Sequence, residues 1–99
     1  MSKEHYVKHL YGVLQEECAE LIMAISKYNR FGSQSHLNAI NCEINDVKAM
    51  VEMLAIEGEQ IFESLPHQYS KIEKVNMYYV ETAEKDSAIS YTPISERKH

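Results

Sequence analysis

Glu17-Cys18-Ala19-Glu20 and Glu43-Ile44-Asn45-Asp46 are the stretches on which the reading of this chain turns. Each places two carboxylates three residues apart inside a helical pattern of apolar residues. On a helix each residue turns by about 100°, so positions i and i+3 share a face. With Glu17 set at zero, Leu10, Leu14, Leu21, Ala24 and Tyr28 fall within roughly 60° of it. With Glu43 at zero, Ala39, Ile40, Val47, Met50 and Leu54 fall within the same arc of roughly 60°. The acids thus belong to faces that should be buried. Carboxylates crowded in a low-dielectric seam repel one another and lose solvation, so a cation is expected among them.

The spacing points to one site. Asn29-Arg30-Phe31-Gly32-Ser33 is a turn signal between the motifs. Glu20 lies twelve residues before Gly32 and Glu43 eleven after it, while Glu17 lies fifteen before and Asp46 fourteen after. In an antiparallel hairpin both pairs would stand about 17–22 Å from the turn, at 1.5 Å per residue. Glu20 is then level with Glu43, and Glu17 with Asp46.

Outward from the motifs, the pattern predicts an all-α fold: an antiparallel helical hairpin plus a third helix, completed into a multi-helix bundle by oligomerisation. The first helix runs from about Lys3 to Asn29, with Ser2 as its cap and Gly32 as its stop. Gly12 is a weak point, open to a kink or a close helix approach. Ser33 or Ser35 can cap the second helix, which continues to about Glu63, with Gly58 able to fray or bend it. Ser64 and Pro66 read as the cap and first turn of a third helix. Its face is Tyr69, Ile72, Val75, Tyr79 and Val80, and it ends near Lys85. Residues 86–99 have no period and contain Pro93, which reads as a tail outside the 1–85 helical domain.

The 99 residues allow a single domain with a modest core, and three amphipathic helices leave apolar surface for a second copy to cover. A homodimer or homotetramer is therefore expected. The net charge of −5 argues against a nucleic-acid binder, since phosphate contacts want a basic face. No apolar run is long enough to span a membrane and no signal-peptide pattern is present, so a cytoplasmic protein is expected. Cys18 and Cys42 form no disulfide framework or zinc motif and read as reduced, semi-buried small residues.

Glu17-x-x-Glu20, a gap of twenty-two residues, then Glu43-x-x-Asp46, resembles the signature of the MazG-like all-α nucleoside triphosphate pyrophosphohydrolases. The surrounding residues agree: Glu16-Glu17-Cys18-Ala19-Glu20-Leu21, Ala24-Ile25-Ser26-Lys27, Arg30-Phe31-Gly32 and Glu43-Ile44-Asn45-Asp46-Val47. The resemblance covers about residues 5–85. It implies a helical dimer or tetramer in which Glu17, Glu20, Glu43 and Asp46 bind magnesium, with manganese as a substitute. The implied reaction cleaves a nucleoside triphosphate between the α and β phosphates, giving a monophosphate and pyrophosphate. Magnesium prefers oxygen ligands and combines carboxylates with substrate phosphates, which suits four acids on a buried face.

The resemblance also implies cations for the phosphates. Lys27 and Arg30 are family-like candidates, though both also suit the negative end of the first helix. The family often carries a Lys and an Arg one turn apart on the last helix. Here Lys71 and Lys74 are present, but Tyr78 stands where an Arg might follow Lys74. Glu16 lies off the central face. His36 shares a face with Glu43 and could touch a substrate, and Asn38, Asn41 and Asn45 could meet a base edge. The base is left open, with cytosine, uracil and purines all admissible.

A second reading, from another class, is a non-catalytic helical interaction protein that retains the hairpin. A di-iron carboxylate bundle needs four helices and inward Glu-x-x-His pairs. Within residues 1–85 no Glu is followed by His at i+3.

Overall fold

The computed structural model describes residues 2–59, 61 and 64–85. Among them are three helices and no strand: α1 (Lys3–Phe31), α2 (Gln34–Ile56) and α3 (Leu65–Lys85). The chain divides into two compact units, Met1–Phe62 and Glu63–His99. The expected tail, 86–99, lies outside the described residues.

In the first unit α1 and α2 fold back on one another as the hairpin the turn signal predicts. Local chemistry sets its boundaries. The Ser2 hydroxyl accepts from the His5 N–H at 3.1 Å and starts α1. Gly32, at φ +65°, ends it in the left-handed conformation that costs glycine little. Ser33, rather than Ser35, caps α2, accepting from the His36 N–H at 3.4 Å. Ser35 instead shares a hydrogen bond with the Ser33 hydroxyl at 3.0 Å.

The second helix is shorter than its apolar pattern suggests, ending at Ile56 instead of near Glu63. The reason is a Schellman closure. The Glu59 N–H donates to the Leu54 carbonyl at 3.1 Å and the Gly58 N–H to the Ala55 carbonyl at 3.0 Å, with Gly58 at φ +85°. Turning the chain there brings Ile61 against the core instead of extending the helix.

That core lies at the end of the hairpin away from the turn. Leu10, Met50 and Leu54 are its buried centre, flanked by Tyr6, Val7, Val13, Leu14 and Ile61. The Tyr11 hydroxyl donates to Glu59 Oε1 at 2.9 Å and ties α1 to the segment after α2. The close approach entertained at Gly12 is not found, since a Cβ there would meet nothing within 4 Å and α1 runs through it unbroken.

In the second unit Ser64 caps α3, accepting from the His67 N–H at 3.4 Å. Of its expected apolar face, Tyr79 is half-buried, while Tyr69, Ile72, Val75 and Val80 are exposed. Asn76 is buried.

Candidate metal centre and adjoining groove

The acids come together from the two helices of the hairpin. Glu17 and Glu20 stand one turn apart on α1, and Glu43 and Asp46 one turn apart on α2. One carboxylate oxygen from each of Glu17, Glu43 and Asp46 lies within 4.8 Å of the others. Glu20 lies close enough to act on both half-buried glutamates through charge and hydrogen bonding. The helical wheel puts all four acids on the inner arc, but the hairpin treats them unequally. Glu17 and Glu43 are half-buried, while Glu20 and Asp46 are exposed. Two helices bury only a narrow seam, so one acid of each pair reaches inward and the other lies at the rim.

The inward pair carries the electrostatic cost. Burial, followed by the negative charge of Glu20, Asp46 and Glu43, pushes the Glu17 carboxyl above its ordinary range. Burial, followed by the charge of Glu20, does the same to Glu43. The Oε2 atoms of both are shut off from solvent and have no hydrogen-bond partner. Buried carboxylate oxygens without a donor are rare and costly, and a hard cation is the ligand that satisfies several at once. The donor set is all oxygen, which suits magnesium or manganese rather than a thiolate-seeking metal. The residues present therefore fit a divalent ion held by Glu17, Glu43 and Asp46, with Glu20 beside them.

Toward the turn the seam opens into a groove of about 260 Å³, lined by Glu20, Met23, Ala24, Lys27, His36, Ala39 and Glu43. It exists because small side chains, Ala24 and Ala39, occupy facing positions where Leu10, Met50 and Leu54 fill the other half. Its acidic end is formed by Glu20 and Glu43 and its turn end by Lys27 and His36. Seven residues separate the ends on each helix, roughly 10 Å at the helical rise. The His36 ring stacks on Phe31 with centroids 5.4 Å apart and planes 28° from parallel. Arg30 lies over the other partner of that stack, 5.7 Å from the Phe31 centroid.

Of the cations singled out from sequence, Lys27 joins the acids at this groove, and Arg30 instead stands over Phe31. Lys71 and Lys74 belong to α3 in the second unit, where Lys74 shares a surface groove with Met77, Tyr78 and Glu81. Glu16 is exposed. Asn45 donates to the Asn41 carbonyl at 2.8 Å and Asn38 accepts from Gln34 at 2.9 Å, so these amides serve their own helix. Cys18 and Cys42 are free and exposed, not semi-buried, since both stand about 100° off the seam between α1 and α2. Met23 and Ala39 were not singled out as site residues. Their signal was the small pair Ala24 and Ala39 on facing arcs, which marks a gap only once the helices are paired. No protein-family model, curated protein or solved structure matches the chain.

Proposed function

We propose that this chain is a magnesium-dependent nucleoside triphosphate pyrophosphohydrolase of the MazG-like kind. The observation that supports it is the convergence of Glu17, Glu43 and Asp46 oxygens within 4.8 Å, two of the glutamate oxygens lacking any partner. An acidic site of this sort attracts a divalent ion and, through it, a polyphosphate. When bound, the metal offsets phosphate charge and makes water a better nucleophile. The protein's part is to hold Glu17, Glu43 and Asp46 on two rigid helices, with Glu20 at the rim facing the groove. Water adds to the α-phosphorus, the bond to the bridging oxygen breaks, and pyrophosphate leaves with that electron pair. The proton released by water passes to a carboxylate of the cluster. Manganese would serve in place of magnesium. Lys27 is the cation that lines the groove beside the acids, and Arg30 is the candidate for the outer phosphates.

The assembly we propose is a homodimer or homotetramer in the cytoplasm, where nucleotides and magnesium are at hand. Ile22 and Ile56 are 68% and 73% exposed in the first unit, more apolar surface than a lone hairpin should offer to water. The same exposure favours the alternative, a non-catalytic helical interaction protein. Incubation with a panel of deoxynucleoside triphosphates and magnesium separates the two. Release of monophosphate and pyrophosphate, abolished in Glu20→Gln and Asp46→Asn with folding intact, supports the enzyme. Silence across the panel, with no metal binding by calorimetry, supports the interaction protein.

A further inference from the structure

We infer that the groove beside the acids is the seat of the nucleobase, and that Lys27 selects bases with a carbonyl oxygen on the edge away from the sugar. The substrate class is then uracil-, thymine-, guanine- or hypoxanthine-type nucleotides, in preference to cytosine and adenine. This inference rests on the nucleotide reading above and adds a specificity to it.

The groove's polarity carries the argument. At one end Glu20 and Glu43 belong to the metal-binding cluster, so a substrate's phosphates are anchored there. On the other side of the acids the seam is closed by Leu10, Met50 and Leu54, which are 2%, 9% and 0% exposed. Within the hairpin, the groove that leads away from the acids runs toward the turn. That path has an apolar floor of Met23, Ala24 and Ala39 and a ring wall at His36, which Phe31 holds in place by stacking. A polyphosphate chain gains nothing from such a floor, whereas a flat heterocycle does. The length of about 10 Å from the acids to Lys27 matches the reach from an α-phosphate across the sugar to the far edge of a base.

At that far edge stands Lys27. An ammonium offers three donors and no acceptor, so it can bond a carbonyl oxygen and cannot bond an amino group. Its ammonium has no ion-pair partner among the described residues, so no carboxylate must be displaced. A hydrogen bond to a charged donor corresponds to about a tenfold preference.

The test is binding, which is independent of turnover. Affinities of the α,β-imido analogues of dUTP, dCTP, dITP and dATP are measured by calorimetry in magnesium chloride. Each pair differs at the distal edge, where a carbonyl oxygen beside a ring N–H replaces an amino group beside a bare ring nitrogen. The oxo member should bind about tenfold tighter in both pairs. Lys27→Met should erase the difference, and Lys27→Arg, which keeps donors, should retain part of it. Equal affinities, tighter binding of the amino members, a preference that survives Lys27→Met, or no binding of any analogue overturns the inference. Oxo-selective binding with no hydrolysis of the natural triphosphates would leave the inference standing and remove the pyrophosphohydrolase reading.

Discussion

Glu17 on α1 and Glu43 on α2 face one another across the hairpin, each with an Oε2 atom withheld from solvent and unbonded. Two such groups in one seam work against folding unless a proton or a metal ion neutralises them. The same pair thus links the stability of the hairpin to what it binds.

Divalent metal should stabilise the protein. At a magnesium concentration one hundred times the dissociation constant, linkage gives about 2.7 kcal/mol, a rise in Tm on the order of 10 °C for a chain of this size. Glu43→Gln should raise the Tm of the metal-free protein, since an uncharged amide replaces a crowded carboxylate, and should abolish the metal-induced rise. Scanning calorimetry with EDTA and with magnesium checks both. A metal response that survives Glu43→Gln would remove Glu43 from the site.

The pH dependence has a definite sign. Glu17 and Glu43 have folded-state pKa values raised above their unfolded ones. The stability they contribute is fully present below the ordinary glutamate range and is lost as pH rises through the raised values. In EDTA, the free energy of unfolding should therefore fall over that interval, and Glu17→Gln/Glu43→Gln should flatten the fall. Metal affinity should rise over the same interval, because the ion competes with protons for the same oxygens. Urea titrations at stepped pH, with and without magnesium, measure the two slopes.

Leu54 is fully buried at the centre of the small core. Leu54→Ala should cost about 2–5 kcal/mol through lost transfer energy and the cavity left behind. In so small a domain that is enough to populate the unfolded state, visible as a collapse of the far-ultraviolet dichroism transition toward ambient temperature.

Gly32 holds φ at +65° where α1 stops. Its Cβ would meet nothing, so Gly32→Ala isolates the backbone term, about 1 kcal/mol of destabilisation. Chemical denaturation should show a lower midpoint with an unchanged slope. A neutral result would mean that the turn relaxes to another conformation.

Light scattering should report a mass above the 11.5 kDa of a single chain. Exposed Ile22 and Ile56, and the exposed Tyr69, Ile72 and Val80 of α3, are the apolar surface that a second copy would cover. Ile22→Lys and Ile56→Lys should shift the mass toward the monomer if that surface is the contact.

Much of this was legible in the residues, for reasons that are local. Ser2, Ser33 and Gly32 mark helix ends because their chemistry acts over three or four residues, and the helices start and stop there. The meeting of the two acidic motifs follows from helical periodicity plus a symmetric distance to one turn, although the buried pair is Glu17 with Glu43 rather than two acids at one level. Other features depend on what surrounds a residue. The wheel assigns Glu20 and Asp46 to the inner arc, yet a seam two helices wide leaves them at the rim. The apolar residues after Leu54 look like more helix, yet the chain turns at a glycine with φ +85° and Ile61 packs on the core instead. The groove is defined by side chains too small to fill it, and a gap has no letter in the sequence.

The hydrophobic cluster of Leu10, Met50 and Leu54 lies beyond the acids, and the Gly32–Ser33 connection lies before them. The acidic stretch is thus pinned at both ends, like a string between two pegs. Mutual repulsion can bow the helices apart between those pegs without separating them, so the fold survives an empty site that would otherwise prise it open. Amide protons near Leu54 should be the last to exchange, and those of the turnward half should slow when an ion draws the strands of the bow together.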